Sequence, residues 1–366
     1  MPVHNGQVYL AEAVDSILRQ SFSDFELIVV NDASTDQTAS ILDGIRDARL
    51  VRLTNESQLG VAASLNRGLA ESRGRLIARM DADDLSVDSR LQRQVDFMQT
   101  HPSVVLCGSE AERIDAQGQH LRDIKRLHHN IEIRWHLLSA NPFIHPSVIF
   151  RADAVKRVGG YDPNLRCAQD YDLWCRLALE GECANLPERL VRYRLHANAI
   201  SATKRSEQMR VTRQKSMAHL VDSGVAGCQD QSELFLAFAA RSGEPHRIWD
   251  YPRPQWNQFP EMVDRFFHCF DDPADDATAA CRRCRQTIRR MVLRHVNHVG
   301  LNWGAAYQLF RLARRVDPEG MGMRQITSRS LRRALRRLPL RGSHKGNKAA
   351  SLDEFASRHD PSRMVI

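Results

Sequence analysis

No stretch of this 366-residue chain approaches the ~20 apolar residues needed to cross a bilayer. Even the run Leu234 to Ala240 stops at Arg241, which excludes an α-helical membrane span by sequence. The opening residues MPVHNGQVYLAEAV lack both the basic start and the apolar centre of a secretory signal, so cytoplasmic residence is the expectation. Cysteine is sparse and scattered, at 107, 167, 175, 183, 228 and 269, with one pair at Cys281 and Cys284. That pattern argues against a disulfide framework. The Cys281–Cys284 spacing suits a metal, but no second pair follows and His295 and His298 fit finger spacing poorly, so reduced helix cysteines are expected instead. Also missing is any strand pattern ahead of the first helix, although alternating folds normally begin with a strand.

What is present is ordinary in bulk and uneven in charge. Apolar residues make up 42% and charged residues 26%, which excludes wholly disordered and fibrous chains, and the length suggests two domains. Residues 1–200 hold 23 Lys and Arg against 27 Asp and Glu, whereas residues 201–366 hold 29 against 17. The halves therefore carry −4 and +12, and the basic half calls for an anionic partner such as nucleic acid, a phospholipid surface or a pyrophosphate-linked substrate.

Along the first hundred residues, helix and strand patterns alternate. Leu10, Val14, Ile17 and Leu18 recur at helical spacing between about Val8 and Gln20. The run Phe25 to Val30 reads as a strand buried on both faces. Ser34 to Gln37 has capping-box spacing and predicts a helix through Ile45. Leu50–Leu53 and Leu76–Met80 read as strands, Gly60–Ala70 as a helix, and Leu91, Val95 and Met98 mark another helix before a strand at Val104–Cys107. Such alternation predicts a doubly wound α/β domain with a mostly parallel sheet, whose ligands sit at the carboxyl ends of strands. Beyond residue 200 the pattern becomes helical at Glu207–Val221, Ser232–Arg241, Glu261–Phe270 and Ala277–His298. Gly243 to Pro260 is a candidate linker or docking loop, a basic helical region reaches residue 342, and residues 343–366 are expected to fray.

The chemistry concentrates in Asp81-Ala82-Asp83-Asp84, directly after a strand. Three carboxylates in four residues repel one another, and a divalent cation removes that cost; hard oxygen ligands suit Mn²⁺ or Mg²⁺ bound beside substrate phosphates. An isolated cluster of this kind could also be a solvated turn.

Four ordered motifs make the sequence recognisable: Pro2–Asn5 with Leu10–Gln20, Leu27–Asp36, Asn55–Gly60 and Ala78–Asp84. Together they resemble the family-2 glycosyltransferases. The likeness continues through His145-Pro-Ser, Val158–Asp162, Gln169–Trp174 and Tyr193–His196, covering residues 1–200 but not the helical part. It implies a GT-A fold and transfer of a sugar, with inversion, from a nucleotide-diphosphate donor to a polysaccharide, glycolipid or glycan acceptor. By the resemblance, Val3, His4 and Glu12 would hold the nucleoside, Asp32 would accept a hydrogen bond from base or ribose, and Asp81 with Ala82 would face the ribose. Asp83 would coordinate the metal, His196 would touch metal or diphosphate, and Asp170 would be the catalytic base. The family more often has an aromatic residue where His4 stands, a second acidic residue at Asn31 and Glu at Gln169. The resemblance also implies that upstream residues supply a β-branched strand ending in Pro2–Val3. Rival readings are a nucleotidyltransferase, which would want a Gly-rich basic loop that Pro2–Gly6 does not supply, and a basic nucleic-acid-binding protein. The charge split and the lack of aromatic residues among the arginines argue against specific nucleic acid. Finally, Met321 to Lys348 has nine Lys and Arg and no acid, with Ile326, Leu331, Leu335 and Leu338 on one helical side. That segment suits peripheral association with an anionic membrane, which would be the inner face of the plasma membrane.

Overall fold

In the computed structural model, residues 1–196, 205–239, 258–270, 275–296 and 303–317 are described. The apolar spacing of the first helix, α1 (Leu10–Leu18), buries Leu10, Ala13, Val14 and Ile17 on one side. They pack on β2 (Leu27–Asn31), whose residues are buried on both faces as a continuous apolar run requires. Residues Pro2–Val3 form a two-residue β1, where the sequence shows only a loop. β1 pairs parallel with β2, and β2 pairs parallel with β3 (Leu50–Thr54), so the first sheet runs β1-β2-β3. The helix after β2, α2 (Thr38–Gly44), begins later than the capping-box spacing predicts. Ser34 is occupied elsewhere, accepting from the Asn5 amide at 2.9 Å, while Asp36 accepts from the Thr38 amide at 3.0 Å.

After α3 (Val61–Glu71) come β4 (Leu76–Ala78), β5 (Leu85–Ser86) and α4 (Arg90–Thr100). The chain then enters β6 (Val104–Ile114), β7 (His120–Ile124), α5 (Asn130–Leu137), β8 (Ile149–Arg151), α6 (Ala152–Arg157), α7 (Gln169–Glu180) and β9 (Glu182–Arg194). The second sheet is ordered β4-β8-β6-β9-β5, with β7 beside β6. Here the expectation of a mostly parallel sheet needs correcting. Only β6 and β9 run parallel in this sheet; β4–β8, β5–β9, β6–β7 and β6–β8 are antiparallel. For β7 the reason is local: a tight turn over residues 115–119 folds it back on β6. β6 is also longer than its apolar run, because Gly108, Ser109 and Glu110 continue the ladder while buried.

Residues of β2 and β4 line a cavity of about 670 Å³, together with Leu65 and Gly68 of α3; Ile28, Ile77 and Ala78 are among them. The Met1 nitrogen donates to the Ile28 carbonyl at 2.8 Å.

The remaining described elements are helices, as expected: α8 (Arg205–Asp222), α9 (Gln229–Ala239), α10 (Gln258–Phe270), α11 (Asp275–Val296) and α12 (Trp303–Val316). Their core gathers Leu220, Phe235, Phe266, Ile288 and Leu312 around Ile131 and Trp135 of α5, so the helical part shares a core with the first 200 residues. Cys284 is buried in that core. The expected linker lies mostly, and the basic segment Met321–Lys348 and the tail 343–366 lie wholly, outside the described residues. No described helix is long and apolar enough to cross a membrane.

Candidate functional site

The polar residues after β1, β2 and β4 converge at the carboxyl ends of those strands. Two left-handed residues without glycine's freedom, Asn5 (φ 53°) and Ala33 (φ 53°), shape the turns after β1 and β2. A third, Ala168 (φ 55°), stands immediately before α7. Backbone strain of this kind collects at sites where the surroundings hold it in place.

Each residue singled out in the sequence has a definite seat. Val3 is buried, and its carbonyl accepts from the Asp32 amide at 2.8 Å. The His4 ring is exposed and its Nδ1 donates to the Asp32 carbonyl at 2.7 Å. The Asp32 carboxylate accepts from Asn55 Nδ2 at 2.6 Å and from the Leu59 and Gly60 amides, each at 2.8 Å. Burial alone would push that carboxyl up; the donors from Leu59, Asn55 and Gly60 outweigh it and hold the group below the usual carboxylate range. Asp32 is therefore the hub that shapes the loop over 55–60. Glu12, on α1, pairs with Arg194 at 2.8 Å. Ala82 packs against the first apolar core.

Among the described residues, Asp81, Asp83 and Asp84 form the one group of three or more His, Cys, Asp or Glu whose ligand atoms lie within 4.8 Å of one another. Asp81 pairs with the buried guanidinium of Arg79. Asp84 is buried, with Oδ1 accepting from the Arg194 amide at 2.7 Å and Oδ2 lacking a protein partner. Burial first, and then the charges of Asp81 and Asp83, push the Asp84 carboxyl well up. Burial likewise raises Asp81, with Arg79 working against it. His196 Nε2 lies 2.8 Å from Asp83 Oδ2, so the structure brings together the two residues the resemblance assigns to the metal. A crowded carboxylate group with an orphaned buried oxygen is a donor set that fits a hard divalent cation.

Asp170 opens α7, its Oδ2 accepting from Asn141 Nδ2 at 2.7 Å. Burial raises this carboxyl, opposed by the Tyr171 amide, the Arg79 charge and Asn141. Asp172, two residues on, is instead bound to Lys215 at 2.7 Å and Arg176 at 2.6 Å, and serves packing.

Sequence reasoning passed over three cations that build the site. Arg79 acts electrostatically on both Asp81 and Asp170. Arg90 is fully buried, donates to the Arg79 carbonyl at 2.7 Å, and so fixes the strand end from which the acidic turn springs. Arg194 reaches the Asp83 carbonyl at 2.9 Å, the Ala116 carbonyl at 3.1 Å and Glu12, with its guanidinium 4.6 Å from the Tyr9 ring centre. Arg79 and Arg194 both lie inside the motifs quoted above, which was the available signal.

Comparison with known proteins bears on the family and the fold. The model of the family described as Glycosyl transferase family 2 matches residues 1–159. An O-antigen biosynthesis glycosyltransferase of Escherichia coli is 34% identical over 205 residues, covering 54% of this chain and 78% of its own. A UDP-Gal:alpha-D-GlcNAc-diphosphoundecaprenol beta-1,3-galactosyltransferase of Escherichia coli is 29% identical over 181 residues, covering 49% and 66%. Among solved structures, Staphylococcus aureus TarS in complex with UDP-GlcNAc superposes with a TM-score of 0.54 at 17% identity, covering 87% of this chain and 89% of its own, a likeness of fold. With a relative above 30% identity matched over more than two thirds of its length, the chain belongs to glycosyl transferase family 2.

Proposed function

We propose that this chain transfers a sugar, with inversion, from a nucleoside-diphosphate donor to a hydroxyl of a polysaccharide or lipid-linked glycan. The observation that carries the reading is the half-buried carboxylate of Asp170 at the start of α7, under the charge of Arg79, the buried cation that pairs with Asp81 of the acidic turn 81–84. Val3, His4 and Glu12 would border the nucleoside, with Asp32 holding the loop over 55–60 and retaining acceptor capacity for base or ribose. Asp81 and Ala82 would face the ribose. Asp83 and His196, with Asp84, would hold Mn²⁺ or Mg²⁺. That ion, when bound, would neutralise charge on the departing diphosphate as a Lewis acid.

In the transfer, the acceptor oxygen bonds to the anomeric carbon as the bond from that carbon to the phosphate oxygen breaks. The electron pair leaves with the nucleoside diphosphate, and the hydroxyl proton passes to Asp170. Inversion requires base and leaving group on opposite faces of the sugar. Arg79 suits the division of labour: its charge opposes the burial that raises the Asp170 carboxyl, and it also pairs with Asp81 of the acidic turn. The diphosphoundecaprenol acceptor named for one relative supports a lipid-diphosphate acceptor here, and the basic carboxyl-terminal half suits such an anionic carrier or an anionic membrane surface. Screening UDP-, GDP- and dTDP-sugars for release of nucleoside diphosphate with and without Mn²⁺ tests the reading. Metal-dependent release from at least one is expected, and release from none, or equal release without metal, would count against it.

A further inference from the structure

Asp170 is not left to find its own orientation. The carboxamide of Asn141 lies in the segment between α5 and the turn at His145–Ser147, and its Oδ1 accepts from the Phe143 amide at 3.0 Å. That bond fixes which end of the amide faces inward, so Nδ2 is the atom presented to Asp170 Oδ2 at 2.7 Å. One oxygen of the carboxylate is thereby occupied.

The segment carrying Asn141 is clamped by neighbours of Asp170 on α7. Tyr171 Oη donates to the Leu137 carbonyl at 2.6 Å and lies 2.8 Å from Ser216 Oγ, which donates to the Leu138 carbonyl at 2.7 Å. Further along, Phe143 is buried edge-on against Trp174, with ring centres 5.9 Å apart. Asn185 Nδ2 reaches the Pro142 carbonyl at 3.5 Å. Tyr171, Leu138, Phe143 and Trp174 are all buried. The amide donor and the carboxylate are thus held by the same packed body.

We propose that Asn141 is the positioning residue of Asp170, its amide holding Oδ2 so that Oδ1 is the oxygen turned to the acceptor hydroxyl. The proposal rests on the reading of Asp170 as base. A carboxylate at the first turn of a helix has only its rotamer and its partners to aim it. Without Asn141 the group is left to the Tyr171 amide and the charge of Arg79, and a base turned away from the reacting oxygen loses rate without loosening the donor. The amide also favours the ionised carboxylate, since it donates to the charged form. Against Asp170 stand the cation Arg79 from the end of β4 and the phenol of Tyr161, while Asp172 and Arg176 of its own helix are engaged with Lys215 and each other.

The test compares wild type with Asn141→Ala, Asn141→Asp and Asp170→Asn. The probe is the sugar nucleotide, among UDP-glucose, UDP-N-acetylglucosamine, GDP-mannose and dTDP-glucose, that wild type turns over fastest with Mn²⁺. For Asn141→Ala, kcat at neutral pH falls about 10- to 100-fold, while KM for the donor and calorimetric affinity for its nucleoside diphosphate stay within about twofold. The acid limb of the kcat profile moves to higher pH, and further in Asn141→Asp, where a second carboxyl faces the first. The position of that limb does not depend on the fraction of folded enzyme, so it remains readable in a poorly folding variant, and Asn141→Asp preserves the shape of the side chain. A limb at the wild-type pH in both variants would overturn the proposal, as would an unchanged kcat in Asn141→Ala. Failure of the underlying reading looks different: Asp170→Asn would itself keep more than half of wild-type turnover.

Discussion

Replacing Asp32 by Asn should loosen the loop under the nucleotide side of the site, and the size of the effect follows from the three donors it faces. Asp32 is 4% exposed, and its carboxylate accepts from Asn55 Nδ2, the Leu59 amide and the Gly60 amide at 2.6 to 2.8 Å. A hydrogen bond to a charged group contributes about 1.5–3 kcal/mol. Asparagine retains one acceptor oxygen, loses the charge, and turns an amide N–H against at least one remaining donor. A cost of about 3–5 kcal/mol is expected, a large part of the ~5–15 kcal/mol that stabilises a typical domain. The pH dependence gives a second handle. Because the folded carboxyl is held below its ordinary value, its contribution is present above about pH 4 and is lost as pH falls through the folded value. The gap between wild type and Asp32→Asn should therefore narrow on acidification. Urea denaturation at pH 7 and pH 3, with hydrogen exchange over residues 55–64, measures both effects. A variant within about 0.5 kcal/mol of wild type at pH 7, a difference of the size that surface substitutions produce, would refute the reasoning. So would a gap that does not change with pH.

Three further outcomes are expected. Asp170→Asn should keep nucleotide affinity and lose about 10²–10⁴-fold in turnover, read from nucleoside-diphosphate release, since the amide cannot take a proton at neutral pH. Lys215→Met should lower the thermal midpoint while leaving nucleotide affinity unchanged, because Asp172, buried beside it, keeps Arg176 but loses a cation at 2.7 Å; partial exposure of Lys215 limits the cost to about 1 kcal/mol. Removing residues 321–366 should weaken sedimentation with anionic vesicles at low salt without changing hydrolysis of the sugar nucleotide, given nine basic residues and no acid between Met321 and Lys348.

Some of this molecule was plain in its sequence because the relevant physics is local. The i, i+4, i+7 spacing of Leu10, Val14 and Ile17 reports a buried stripe whatever the helix packs on, and the run before Asn31 reports a strand buried on both faces. Three acids after a strand likewise announce a charge problem that needs a cation. The misses have long-range causes. Ser34 looked like a helix cap until Asn5, 29 residues earlier, took its hydroxyl. β6 runs on through Gly108, Ser109 and Glu110 because β9, nearly eighty residues later, completes its ladder, and no apolar run marks that pairing. Arg194 and Asn141 act on groups 111 and 29 positions away, so their roles exist only in the folded chain.

The central claim is that the acidic turn after β4 joins a divalent cation to a nucleoside-diphosphate donor, and calorimetric titration of the donor's nucleoside diphosphate with and without Mn²⁺, on wild type and Asp83→Ala, tests it most directly. The account predicts binding to wild type that strengthens at least tenfold with Mn²⁺, and no such strengthening in Asp83→Ala, where His196 loses its partner at 2.8 Å and the turn loses a ligand. Equal affinity with and without the metal in wild type, or an undiminished metal effect in the variant, would contradict it.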